Sequence, residues 1–181
     1  ENNIHCFNVE SFSELYLINH VAEELKKKAP ISIRVNPEID AKTHPYITTG
    51  LKTSKFGIPF SQALEVYQAA TKLNFIKIVG IDFHIGSQIL DKEPLLEAFS
   101  ECLKLVDNLR EKGIHLDHID VGGGFGINYH EEDPIFLLED YAKGLKQRLE
   151  GRKIKLILEP GRIIVGHAGL LLTKVQYLKE N

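Results

Sequence analysis

Short β-branched runs alternate with amphipathic helical runs along the chain, and this alternation restricts the fold more than any other feature. Strand-like runs fall at His5 to Val9, Ile31 to Asn36, Ile76 to His84, Asp117 to Val121 and Ile154 to Leu158, each bounded by polar, Gly or Pro residues. The first intervening helix begins with Ser11 and Glu14 at capping-box spacing. It keeps Phe12, Leu15, Ile18, Ala22 and Leu25 on one face until Pro30 prevents its continuation. Ser61 opens the second helix, with Leu64 and Tyr67 inward. The third has Pro94 in its first turn, aligns Leu95, Phe99, Cys102, Val106 and Leu109, and ends at Gly113. The fourth follows Asp133 and Pro134, stacks Leu138, Tyr141, Leu145 and Leu149, and stops at Gly151. Strands separated by crossover helices pair in parallel, so the chain is α/β, either a barrel or a doubly wound open sheet.

Side-chain parity chooses between them. Alternate strand residues face opposite ways, so Ser32, Arg34 and Asn36 share one face and Ile31, Ile33 and Val35 the other. Gly80, Asp82 and His84 oppose Val79, Ile81 and Phe83, while Ile157 and Glu159 oppose Ile154, Leu156 and Leu158. Both faces of an open doubly wound sheet meet helices and are apolar. Here one face turns polar toward the C-terminal end of strand after strand, the pattern of a (β/α)8 TIM-type barrel mouth. Five strand runs fall short of the eight in a complete barrel, so residues 1–162 are expected to be its last five β units. After Glu159 the stretch Ile163 to Tyr177 is apolar, β-leaning and Gly-punctuated, so 163–181 is expected to lead into a separate C-terminal β domain. The absence of Met, at position 1 as elsewhere, is consistent with an internal piece of a longer protein.

Composition removes several classes of function. With 43% hydrophobic and 26% charged residues and a formal net charge of -3, the chain is an ordinary globular one. Its scattered Lys and Arg provide no footprint for nucleic acid. The most apolar stretch, Ile163 to Leu172, is broken by Gly166, His167 and Gly169 and is too short to span a membrane. Cys6 and Cys102 lie far apart with no partner pattern, which favours a reducing, cytoplasmic location over a disulfide framework.

The chemistry-bearing residues gather at strand ends. Gly122-Gly123-Gly124-Phe125-Gly126 directly follows a strand, where backbone N–H groups can cradle a phosphate; the alternative is a plain flexible turn. Ile127 stands where a Rossmann fingerprint needs its last glycine. Glu159-Pro160-Gly161-Arg162 places a carboxylate that can hold a protonated ring nitrogen beside an arginine that can fork onto a phosphate or carboxylate; a surface ion pair is the alternative. His84, in His84-Ile85-Gly86-Ser87-Gln88, can stack on a planar cofactor, act as acid or base, or simply be hydrogen-bonded, and Ser87 can donate to a phosphate. No second His stands at metal-ligand spacing from His84, and His115 and His118 belong to the opposite end of the barrel, so no metal is expected. Arg34 has interior parity and needs acceptors, which makes it an organiser behind the site. Lys52 and Lys55 sit in a long loop rather than at a strand end and are read as solvated or loop-ordering.

Taken together, the motifs resemble those of diaminopimelate decarboxylases. They are Asn8-Val9-Glu10-Ser11, Arg34-Val35-Asn36-Pro37, Thr43-His44-Pro45-Tyr46-Ile47-Thr48-Thr49-Gly50, Lys55-Phe56-Gly57, His84-Ile85-Gly86-Ser87-Gln88, Gly122-Gly123-Gly124-Phe125-Gly126 and Glu159-Pro160-Gly161-Arg162, in that order. The His84, glycine-loop and Glu159 motifs belong to a wider group that includes ornithine and arginine decarboxylases. The Thr43–Gly50 and Lys55–Gly57 loop points to diaminopimelate.

The resemblance implies pyridoxal 5′-phosphate as cofactor, with His84 stacked on its ring and Glu159 on its pyridine nitrogen. Ser87 and the backbone of Gly122, Gly123, Gly124, Gly161 and Arg162 would hold the phosphate, Arg162 also lying near a carboxylate of the amino-acid substrate. The implied reaction removes carbon dioxide from the D-centre of meso-diaminopimelate to give L-lysine, in a homodimer. It places the family's cofactor-anchoring lysine upstream of Glu1 and its C-terminal β domain beyond Asn181. Competing readings are another barrel-type decarboxylase (of ornithine, arginine or carboxynorspermidine), an amino-acid racemase, and a non-catalytic phosphate-binding module.

Overall fold

The computed structural model describes residues 3–39 and 56–180. Its elements are β1 (Phe7–Val9), α1 (Phe12–Glu24), β2 (Ala29–Asn36), β3 (Ile58–Pro59), α2 (Phe60–Ala70), β4 (Ile76–Asp82), α3 (Lys92–Glu111), β5 (His118–Asp120), α4 (Leu138–Leu149), β6 (Lys155–Ile157) and α5 (Arg162–Val165). All strand pairings are parallel, and the main sheet runs β1-β2-β4-β5-β6, with the short β3 added to the end of β2. That order never reverses. Right-handed crossovers advancing in one direction put every helix on the same side of the sheet, and this is the (β/α)8 arrangement rather than the doubly wound one.

The two faces carry what parity assigned to them. Ile31, Ile33, Val35, Ile81, Phe83 and Ile119 are buried on the helix side with the apolar faces of α1 to α4. Ser32, Asp82, His118 and Asp120 lie buried on the opposite face. Helix α1 starts as its sequence dictates, with Ser11 Oγ accepting the Glu14 N–H at 3.2 Å. The Glu14 carboxylate reaches back to the N–H of Glu10 rather than to that of Ser11. Helix α3 begins at Asp91, whose carboxylate accepts the Glu93 N–H, and buries Leu95, Phe99, Cys102, Val106 and Leu109. Cys102 is thus core, as its spacing predicts.

One boundary changes and one pairing is added. Helix α1 does not run on to Pro30: it ends at Glu24, Lys26 takes a positive φ of 53°, and Pro30 lies inside β2. The pairing of β3 with β2 was not foreseen, because two residues are too few to show a period. The stretch after Glu159 forms the one-turn α5, and residues 166–180 carry no strand assignment.

Candidate active site

Register assembles the site. Arg34 lies beside Asp82, Asp82 beside Asp120, and Asp120 beside Ile157. Parallel hydrogen bonding continues past the formal strand ends, with the N–H of Phe83 donating to Asp120 O, that of Val121 to Ile157 O, and that of Glu159 to Gly122 O at 2.8 Å. His84, Gly122 and Glu159 therefore form the next layer out, at the C-terminal mouth. The expected residues His84, Gly122 and Glu159 are brought together although 37 to 75 positions separate them in sequence.

The glycine loop is defined by close approach. A Cβ on Gly123 would lie 2.1 Å from Glu159 O, and one on Gly124, where φ is +87°, would lie 2.0 Å from Gly86 O. Only glycine lets the loop bind both neighbouring turns so tightly. Two of its N–H groups are already engaged, that of Gly122 by Asp120 Oδ1 at 2.9 Å and that of Gly123 by His84 Nδ1 at 3.4 Å. Gly122 thus serves the turn itself. The contact on Nδ1 orients the imidazole and makes that nitrogen an acceptor, which suits a neutral ring. Burial, followed by the nearby Arg34, lowers the His84 pKa in agreement.

Beneath the mouth Glu159 meets two acidic groups, Asp82 and Asp120, to which the sequence alone assigned no role. The carboxylate oxygens of Asp82, Asp120 and Glu159 approach within 4.8 Å of one another. Burial and then Asp120 push the Asp82 pKa up to about 7, while Arg34 opposes the rise. Burial also raises Asp120 against the pull of the Gly122 N–H, and raises the partly buried carboxyl of Glu159, with Asp120 adding to it. Arg34 meets this negative charge as an organiser should. Its Nη1 donates to Glu10 Oε1 at 2.7 Å, its Nε lies 3.9 Å from Asp82 Oδ2, and its guanidinium sits over the Phe56 ring. Glu10 Oε2 accepts the Gly57 N–H at 2.9 Å, which ties the Phe56-Gly57 turn to β1.

Arg162 also reaches the mouth, where its Nη1 donates to Gln88 Oε1 at 3.0 Å and its guanidinium lies 5.9 Å from the centre of the Tyr129 ring. Gln88 joins three segments, because its Nε2 donates to Ile127 O and its Oε1 accepts the Ile127 N–H. Its positive φ of 59° marked no such role in the sequence. Ser87 follows His84 at the mouth, half-buried, and Gly161 is exposed immediately before α5. Lys52, Lys55 and the Thr43–Gly50 motif lie outside the described residues. Among the described residues no helix is long and apolar enough to cross a membrane.

A one-sided parallel α/β sheet with a His, a glycine loop, a carboxylate and an arginine at its C-terminal mouth defines a barrel-type domain built for a planar, phosphorylated ligand. Comparison with known proteins gives the family. Residues 1–166 match the family model described as pyridoxal-dependent decarboxylase, pyridoxal binding domain, and the chain belongs to that family. It is 52% identical over 180 residues to diaminopimelate decarboxylase of Pseudomonas aeruginosa, covering 99% of this chain and 43% of that protein. It is also 52% identical to the Haemophilus influenzae enzyme of that name, covering 100% of this chain and 44% of that protein. The crystal structure of diaminopimelate decarboxylase from Helicobacter pylori complexed with L-lysine superposes with a TM-score of 0.86 at 51% identity, covering 90% of this chain and 41% of that one. The chain thus spans less than half the length of these relatives.

Proposed function

We propose that the protein is a pyridoxal 5′-phosphate-dependent carboxy-lyase that converts meso-2,6-diaminopimelate to L-lysine and carbon dioxide, the last step of lysine biosynthesis, and that it works as a cytoplasmic homodimer. The observation that carries this reading is the single layer joining His84, Gly122 and Glu159, in a chain about half identical throughout to enzymes named for that reaction. The residues fit the cofactor. The loop that would receive the phosphate presents backbone with no side chain in the way, His84 offers a neutral ring, and Glu159 offers a carboxylate in the same layer.

When bound, pyridoxal phosphate supplies a pyridinium ring that takes up the electron pair left at the α-carbon as carbon dioxide departs. Glu159 would accept the hydrogen bond of the ring nitrogen and hold its proton there. Its raised pKa makes it a better acceptor, and Asp120 and Asp82 add negative potential from below. His84, oriented by the Gly123 N–H, would stack on the cofactor ring. Ser87 with the backbone of Gly124, Gly161 and Arg162 would hold the phosphate, with Gly123 lining the loop while its N–H stays on His84 Nδ1. Gln88 accepts from Arg162 Nη1 and would hold that guanidinium for a substrate carboxylate.

Glu159→Gln tests the assignment. The exposed residue changes without disturbing the core. Turnover of meso-diaminopimelate is expected to fall about 100- to 1000-fold, the scale set by loss of one transition-state electrostatic contact. Cofactor occupancy, read from absorbance, is expected to persist. Equal loss of both, or unchanged turnover, contradicts the role.

A further inference from the structure

At the opposite, N-terminal end of the strands, the structure assembles a second group of side chains that the mouth does not use. The Cys6 Sγ lies 3.9 Å from His118 Nε2, although 112 positions separate them in sequence. The His5 ring lies 5.0 Å from that of His118, centre to centre, and one potential ligand atom from each of the three residues falls within 4.8 Å of the others. Spacing along the chain could not show this, because β1 and β5 are not neighbours in the sheet and meet only across its concave face.

Gly80 is what permits the meeting. It pairs with His118 in register, and a Cβ there would lie 2.1 Å from His118 Nε2, so the imidazole lies across the bare backbone of β4 toward β1. His118 is buried, and its Nδ1 has no hydrogen-bond partner among the described residues. Its ring is therefore held by packing, with Nε2 turned to a thiol. His5, Asp117, His118 and Lys155 line one cavity at this end of the strands.

We propose that His5, Cys6 and His118 bind a zinc ion that staples β1 to β5 at the closed end of the barrel. Two imidazoles and a thiolate are a borderline-soft donor set suited to Zn²⁺ over Mg²⁺ or Ca²⁺. Tetrahedral zinc with bonds of about 2.3 Å to sulfur and about 2.0 Å to nitrogen places S and N about 3.5 Å apart, so the observed separation needs only a small contraction. Water completes the fourth position, and binding releases the Cys6 thiol proton to solvent. The site is separate from the mouth and does not depend on the proposed reaction.

The test uses the full-length, cofactor-loaded protein, reduced and stripped of metal, titrated with Co²⁺ as a spectroscopic stand-in for zinc. One equivalent is expected to produce a thiolate-to-cobalt charge-transfer band and tetrahedral d–d bands, all displaced by zinc. The charge-transfer band is expected to vanish in Cys6→Ser and the tetrahedral d–d bands to weaken in His5→Ala, a substitution at an exposed position that leaves the core intact. Cys102→Ala is expected to retain both. Absence of the bands in the unsubstituted protein, or their persistence unchanged in either variant, would overturn the proposal.

Discussion

At the scale of single residues, the site depends on charges held where water is scarce. Asp82 is the clearest case, since a carboxyl titrating at about 7 rather than at 3.8 binds a proton more tightly in the folded protein than in the unfolded chain. Between those values the folded state holds more protons, so this group's contribution to stability falls as pH rises from about 4 to about 7. Urea unfolding across that range is expected to show the decline, on the order of a few kcal/mol, and Asp82→Asn to flatten it. An unchanged slope in the variant would place the titration elsewhere. Asp120, raised in the same direction, adds to the decline, and its removal is expected to lower the Asp82 pKa.

Elements fix the distances between these residues, and the two glycine turns show how. Gly113 and Gly124 both have positive φ, +80° and +87°, but only Gly124 has backbone in the space of a Cβ. Gly113→Ala is expected to cost about 1–2 kcal/mol for the left-handed conformation alone. Gly124→Ala is expected to add roughly 1–3 kcal/mol of overpacking against Gly86 and to weaken cofactor binding as well. Thermal melts with cofactor titration separate the two, and equal effects would mean that Gly124 does not press on Gly86.

Local signals made this level largely readable in advance. The cap at Ser11, Pro94 in the first turn of α3 and the alternating faces of β2 and β4 each follow from neighbouring residues. What escaped reading depends on strand register. Asp82 was recognised as facing inward, but its pairing with Asp120 and Arg34 requires knowing which strands adjoin and in which alignment. The same is true of Gln88 with Ile127 and Arg162, and of Cys6 with His118.

On the scale of the whole molecule, β1 and β6 are the sheet edges, and apolar side chains stand exposed along the β1 and α1 flank at Ile4, Phe7, Leu17, Val21 and Leu25. Unpaired edges beside apolar surface recruit partners. Residues 1–181 expressed alone are therefore expected to sediment as heterogeneous associated species, and a monodisperse, cooperatively unfolding monomer would show that these edges are self-sufficient. The function is tested most directly by product chemistry. Full-length, cofactor-loaded protein is offered meso-diaminopimelate, ornithine, arginine and L-lysine in parallel, with carbon dioxide and amine products quantified. The expected result is carbon dioxide released in equal amount with L-lysine from meso-diaminopimelate, at a kcat/KM well above that of the other three. Preferential turnover of ornithine or arginine, or cofactor bound with no decarboxylation of any of them, would contradict it.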